Sequence, residues 1–365
     1  MTKHQQQRIF VTDCEGPISK NDNAYELTSY YIPQGNKFYA QISRYDDVLA
    51  DVLKRKGYKA GNTLKLILPF LKAYNVTNRK MIDFSAKDIM LIAGAKDTMQ
   101  FVQKMMPSFI VSTSYEHYIS ALCKAIGFLI ENAYSTKVNL DKYPLKHEER
   151  ETLKQIAKEI TRMPAIEILE NAKSLNDLSF KDQESIKRLD EIFWNQIPKM
   201  SLGKIVYEVN PVGGREKAVA VQEIVAKRGC NVDDVLYVGD SITDEECFQQ
   251  VRDGGGVTVS FNGNEYAIRK AQIAVMSENT VVISIIADVF SRLGKDSVLQ
   301  LAEEWSFPAL KRFETNPNLV RRVKQLYPDY LPKVVTITRD NSEEIIKESV
   351  AFRKRVRGEA IAQLG

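Results

Sequence analysis

The chain has 365 residues, of which 44% are apolar, enough for one large core or two modest ones. Its net charge of +4 is close to balanced, and no basic stripe of the kind that neutralises a phosphate backbone is visible, which argues against a nucleic-acid partner. No apolar run approaches the roughly 20 residues that span a bilayer, and the polar start Met1–Gln7 lacks a signal-like apolar run, so no membrane partner is expected. Cys14, Cys123, Cys230 and Cys247 are scattered and read as reduced thiols of a cytoplasmic protein.

The first element is the apolar run Ile9-Phe10-Val11, the pattern of a strand buried on both faces. At its end stand Asp13 and Glu15, then Gly16-Pro17, which breaks regular structure. Acids at such an exit often serve only their own turn. In open α/β sheets, however, ligands bind just beyond the carboxyl ends of the strands. Cys14, between the two acids, points the other way along the strand and reads as core.

A helical insertion is expected from about 19 to 93. Phe38, Ile42, Tyr45, Val48, Leu49, Val52 and Leu53 recur at helical spacing. Asn62 is placed to cap a helix carrying Leu64, Ile67, Leu68 and Leu71, and Ser85 with Asp88 resembles a capping box for a third. Gly94-Ala95 opens a short helix closed by Met105-Met106-Pro107, and Phe109-Ile110-Val111 is the next buried strand. It leads through Ser112-Thr113-Ser114 into a helix from Glu116 to Ile126, stopped by Gly127. A hydroxyl there can cap that helix or bind an anion at its N-terminus.

From about 142 to 202 the chain is charged and helical again, with Ile186, Leu189, Ile192, Phe193 and Ile197 on one face, and Phe193 and Trp194 as packing anchors. Lys217 lies on a helix running to Arg228, ahead of the strand Val235–Val238 and the acids Asp240 and Asp244. The segments 257–261 and 272–276 read as the last strands. The rest is mostly helical, with a Pro- and Asn-punctuated connection from Asn316 to Pro332. Arg353, Lys354, Arg355 and Arg357 alternate with acids nearby and read as a solvated helix face.

Two strands that each end in acids would bring Asp13, Asp240 and Asp244 to one edge of a parallel sheet. Like charges about 4 Å apart repel by about 1 kcal/mol in water and about 4 at a typical protein effective dielectric. Three clustered carboxylates therefore call for a cation, and oxygen ligands favour Mg²⁺.

The ordered set Asp13-x-Glu15-Gly16, Ser112, Lys217 and Gly239-Asp240-x-x-x-Asp244 resembles the haloacid dehalogenase-like superfamily over about 8–20, 94–135 and 210–277. Ile110–Ser114, the helix ending Ala125-Ile126-Gly127 and the Lys217-to-Asp240 interval are similar to its phosphoserine-phosphatase branch. The whole chain, including Asn21–Leu27, is also similar to an archaeal group known as a subunit of energy-converting hydrogenase A. The resemblance implies an α/β fold with a Rossmann-like parallel sheet core (1–18, 94–141 and 203–290) and a helical cap (19–93). Residues 142–202 would be a second helical insertion and 291–365 a C-terminal helical extension.

The resemblance further implies a phosphatase acting on a small phosphorylated metabolite through an aspartyl-phosphate. Asp13 would be the nucleophile and Glu15 the proton donor and acceptor. Mg²⁺ would be held by Asp13, the Glu15 carbonyl and Asp240, with Asp244 nearby or bridging through water. Ser112 and Lys217 would hold the phosphoryl oxygens. Within the cap, Asp22, Glu26 and Arg44 are the substrate candidates, Arg44 suiting a carboxylate.

Two departures stand out. Glu15 takes a place where the family usually has Asp, and the 142–202 insertion separates the Ser112 and Lys217 motifs where that branch has a short connection. Transfer to an acceptor alcohol needs the same residues. A non-catalytic or regulatory subunit that keeps the fold is the reading from another class. A homodimer or a protein complex is compatible with either.

Overall fold

The computed structural model describes residues 7–87, 89–169 and 172–362. Seven strands form one sheet: β1 (Ile9–Thr12), β2 (Ser108–Tyr115), β3 (Ala133–Thr136), β4 (Val235–Gly239), β5 (Val257–Phe261), β6 (Ile273–Met276) and β7 (Lys333–Thr336). Their order is β3-β2-β1-β4-β5-β6-β7. All pairings are parallel except β6 with β7, which is antiparallel. The strand order reverses between β1 and β4, where Thr12 lies opposite Val238, and this is where an open α/β sheet binds its ligand.

The β1 run alternates between the two faces. Phe10 packs into the cluster formed with the helices Ala95–Met105, Glu116–Ile126 and Val281–Leu293. Ile9 and Val11 pack on the other face against Val221, Ile224 and Phe248. Fully buried strands of this kind read as continuous apolar runs. Cys14 is buried in the first cluster, as its alternation predicts.

Residues from the 19–93 and 142–202 stretches share a single apolar cluster, in which Phe38, Ile42 and Phe70 meet Leu153, Leu189 and Phe193. Phe70 and Phe193 contact edge to face with centroids 6.1 Å apart, and the Trp194 indole N–H donates to the Tyr45 hydroxyl at 2.8 Å. Phe193 and Trp194 are thus the anchors expected of them, and their neighbour is the other helical segment.

Several local expectations change. Asn62 does not cap the helix Thr63–Ala73 through its side chain; Asp46 Oδ2 accepts the Gly61 and Thr63 N–H groups instead, each at 3.0 Å. Ser85 ends the helix Asn78–Ser85, which Thr77 caps, and starts none; Asp88 lies outside the described residues. β2 runs on through Ser112–Ser114 to Tyr115, so those hydroxyls belong to the strand and do not cap the next helix. The Asn316–Pro332 stretch holds a helix, Pro317–Leu326, with Asn316 as its cap, and Pro is at home in a first turn. No described helix is long and apolar enough to cross a membrane.

Candidate active site

The β1–β4 register sets Asp13 and Asp240 side by side, just past the two strand ends. Asp13 donates its backbone N–H to the Val238 carbonyl at 2.8 Å, and its Oδ1 accepts the Cys14 N–H at 2.6 Å. Its Oδ2 accepts from the Lys217 ammonium at 2.6 Å, and the same ammonium donates to Asp244 Oδ1 at 2.7 Å. Lys217 and Asp244 are fully buried, and Asp13 and Asp240 nearly so.

Oxygen atoms of Asp13, Asp240 and Asp244 all lie within 4.8 Å of one another. Asp244 is held on every side: Oδ1 also accepts the Tyr237 hydroxyl at 2.6 Å, and Oδ2 accepts the Asp240 and Ser241 N–H groups at 2.9 and 3.1 Å. Asp13, Asp240, Ser112 and Glu15 instead line a cavity of about 90 Å³, some three water volumes. Gly16 has φ +106°, and a Cβ there would fall 2.1 Å from Asp240 Oδ2. Only glycine lets the backbone approach so closely.

Burial pushes the Asp13 carboxyl up to about 7, with Asp244 and Asp240 adding to the rise and Lys217 opposing it. Burial alone would lower the Lys217 ammonium, but the Asp13 and Asp244 carboxylates outweigh it and hold Lys217 above the ordinary lysine range. Burial, and then the neighbouring Asp22, push Glu15 well above the carboxylate range. Its Oε1 accepts the Asn23 N–H at 2.7 Å, which ties it to the start of the helix Asn23–Tyr31.

Of the substrate candidates, Asp22 lines the cavity and caps the helix Asn23–Tyr31 by accepting the Tyr25 N–H at 2.9 Å. Glu26 and Arg44 are not brought to it. Glu26 is held by the Asn21 amide at 2.8 Å, and Arg44 is largely exposed, 3.6 Å from Asp47. The helix Gly35–Asp47 turns Tyr39, Ser43, Asp46 and Asp47 to the cavity, and Arg44 follows Ser43 by about 100° around the axis.

Sequence reasoning missed the acidic wall of Asp46 and Asp47 and, more sharply, Arg353 and Arg357. Both arginines are buried in place of the solvated face expected of them, and both bond to Asp240 Oδ2, Arg357 at 3.1 Å. A signal was present: Ile345, Ser349, Arg353 and Arg357 recur every four residues, so the pair continues a face that begins apolar.

The wall gives a stability expectation. Burial raises Asp47 to about 8, with Asp46 next in effect, so ionising it opposes folding. Stability is then lost as pH rises from the unfolded value near 4 through about 8. Asp47→Asn is expected to stabilise by roughly 2–5 kcal/mol near pH 9 and by little near pH 4. Urea unfolding at both pH values measures this, and an equal gain at both would refute it.

A family model described as haloacid dehalogenase-like hydrolase matches residues 60–285. The chain belongs to the haloacid dehalogenase-like hydrolases. The match begins after Asp13, which the β1–β4 pairing carries into the site. A solved gene product from Archaeoglobus fulgidus is 28% identical with a TM-score of 0.80, and the alignment covers 99% of both chains. A phosphoserine phosphatase in apo form is 13% identical over 76% of this chain and 98% of its own, with a TM-score of 0.42. No curated protein matches the sequence.

Proposed function

We propose that this haloacid dehalogenase-like hydrolase is a Mg²⁺-dependent phosphomonoester hydrolase that turns over a small phosphorylated metabolite through an aspartyl-phosphate. The observation that carries the reading is the Asp13 carboxylate lining a cavity, held by Lys217 at 2.6 Å and flanked by Asp240. The residues fit the ion: three carboxylates offer hard oxygen donors within 4.8 Å of one another, the chemistry Mg²⁺ prefers. Asp13 and Asp240 would hold it, with the Glu15 carbonyl as the resemblance implies. Asp244, whose oxygens are already engaged, would stand behind them. The ion would neutralise charge on the phosphoryl oxygens.

The chain's own residues do the rest. Asp13 attacks phosphorus, forming its bond to phosphorus as the bond to the leaving oxygen breaks. Glu15, whose carboxyl burial raises, would give its proton to that oxygen and then take one from the water that cleaves the aspartyl-phosphate. Lys217 stays charged and fixes the Asp13 carboxylate. Ser112, and Thr113 whose buried hydroxyl has no partner among the described residues, face the cavity as donors to the phosphoryl oxygens. The 19–93 helices cover the site, and the side chains they turn into it select the leaving group.

Phosphate release from p-nitrophenyl phosphate and a panel of phosphomonoesters tests this. Chelating the divalent ion is expected to slow release about a hundred-fold or more, since such an ion contributes several kcal/mol. No turnover of any phosphomonoester, or turnover indifferent to chelation, would sink the reading.

A further inference from the structure

The arginine pair on Asp240 comes from outside the stretch that matches the family model. Helix Ser342–Arg357 docks on the sheet through Ile345 and Ile346, which share a cluster with Ile268 and Met276. Ser349 Oγ donates to the Gly263 carbonyl at 2.7 Å. That docking delivers two guanidinium groups one turn apart. Arg353, 2% exposed, donates from Nη1 to Asp240 Oδ2 and, at 3.2 Å, to the Asp240 carbonyl. Its Nε donates to the Ala362 carbonyl at 3.3 Å. Arg357 donates from Nη1 to the same Oδ2 at 3.1 Å, and from Nε and Nη2 to the Lys20 and Asn21 carbonyls at 3.2 and 2.6 Å.

Both arginines thus act on one oxygen of Asp240. Among the described residues no protein donor falls on the other, and Asp240 and Arg357 both line the cavity. Asp13, Asp240 and Asp244 are matched by three fixed cations, Lys217, Arg353 and Arg357. A guanidinium does not give up its proton in a protein, so this positive charge is permanent.

We propose, resting on the metal-dependent reading above, that Arg353 and Arg357 are positioning residues of the metal centre. They fix Asp240 by Oδ2, leave Oδ1 for a divalent cation, and their charge weakens the hold on that cation. A carboxylate with one oxygen committed serves a metal through the other alone, and a nearby fixed charge of like sign repels the ion in a site that solvent screens poorly. The C-terminal helix, and not only the core and the helices above it, then sets how tightly the ion binds. Arg357 also joins Asp240 to the backbone at Lys20 and Asn21, where the chain enters the first helical insertion.

The test is Mg²⁺ binding to the full-length protein by isothermal titration calorimetry, without substrate, so that the readout is affinity and not turnover. Arg357→Gln keeps the Arg353 tether and removes one charge; it is expected to bind Mg²⁺ about ten-fold more tightly than wild type. Arg357→Lys keeps the charge and is expected to bind like wild type. Equal or weaker binding by Arg357→Gln would overturn the proposal. So would Gln and Lys variants that shift together, because a purely structural hold on the Lys20 and Asn21 carbonyls makes no distinction of charge. If Arg357→Gln does not fold, Arg357→Met, which keeps the aliphatic stem, carries the same expectation. Absence of Mg²⁺ binding in wild type and variants alike would instead remove the metal reading itself, and this inference with it.

Discussion

Asp13→Asn is expected to cut phosphate release at least about a thousand-fold while leaving the chain folded. The amide has nearly the shape of the carboxylate, and its oxygen still accepts the Cys14 N–H that Oδ1 takes at 2.6 Å. What disappears is the anionic oxygen that would bond to phosphorus. Stability is not expected to fall steeply, because two effects oppose each other. Lys217 loses one partner, but it keeps Asp244 at 2.7 Å. Burial already pushes Asp13 up to about 7, so a neutral side chain there relieves a desolvation cost. A rapid-quench experiment with labelled substrate should trap phosphate on wild-type protein and none on the variant. Wild-type turnover by Asp13→Asn, or a trapped phosphate on another residue, would end the nucleophilic role assigned to Asp13.

The sheet centre was legible because its strands are buried on both faces and announce themselves as apolar runs. Ile9–Val11, Phe109–Val111 and Val235–Val238 are all of this kind, and the acids after the first and last of them follow from where β1 and β4 stop. β3 and β7 were not legible. Each has four residues at a sheet edge, with sequences Ala-Tyr-Ser-Thr and Lys-Val-Val-Thr, too short and too polar to stand out from loops. The order of Ser112, Lys217, Asp240 and Asp244 along the chain pointed to one site, because each lies on or beside an element whose type could be read.

The 19–93 helices and the C-terminal helix show why the rest was hidden. Arg353 and Arg357 are charged side chains among charged side chains, and the four-residue spacing that sets them apart from Lys354 and Arg355 is a faint trace beside the pattern of a solvated charged helix. Arg44 attracted notice by its chemistry, yet the orientation of its helix, set by how Phe38, Ile42 and Tyr45 pack inward, turns Asp46 and Asp47 to the cavity instead. Asp46 supplies the donors' partner that Asn62 was expected to be, from a residue far away in sequence. A contact like that of Asp46 leaves no periodic trace.

Lys217→Met is expected to destabilise the protein by about 3–5 kcal/mol, the cost of leaving buried charge unpaired, and to abolish measurable turnover. Methionine fills much of the space of the lysine stem, so the change isolates the ammonium. Lys217 has no solvent exposure, and water cannot replace its bonds to Asp13 Oδ2 and Asp244 Oδ1. Without it, two carboxylates with oxygens within 4.8 Å repel by roughly 3 kcal/mol at an effective dielectric near 20. Asp13, already pushed up to about 7 by burial, would then ionise still less readily in the folded chain. The loss should therefore be greatest at neutral pH and above, and shrink as acid protonates Asp13. Adding Asp244→Asn to Lys217→Met should recover part of the stability, since it removes one of the two stranded charges; the Asp240 and Ser241 N–H groups can still bond to the amide oxygen. Urea unfolding of the single and double variants across pH measures all three terms. A loss below about 1 kcal/mol, no larger than that of an exposed ion pair, would mean that Lys217 does not hold the two acids together, and the case for Asp13 as a nucleophile held ready by its neighbours would lose its support.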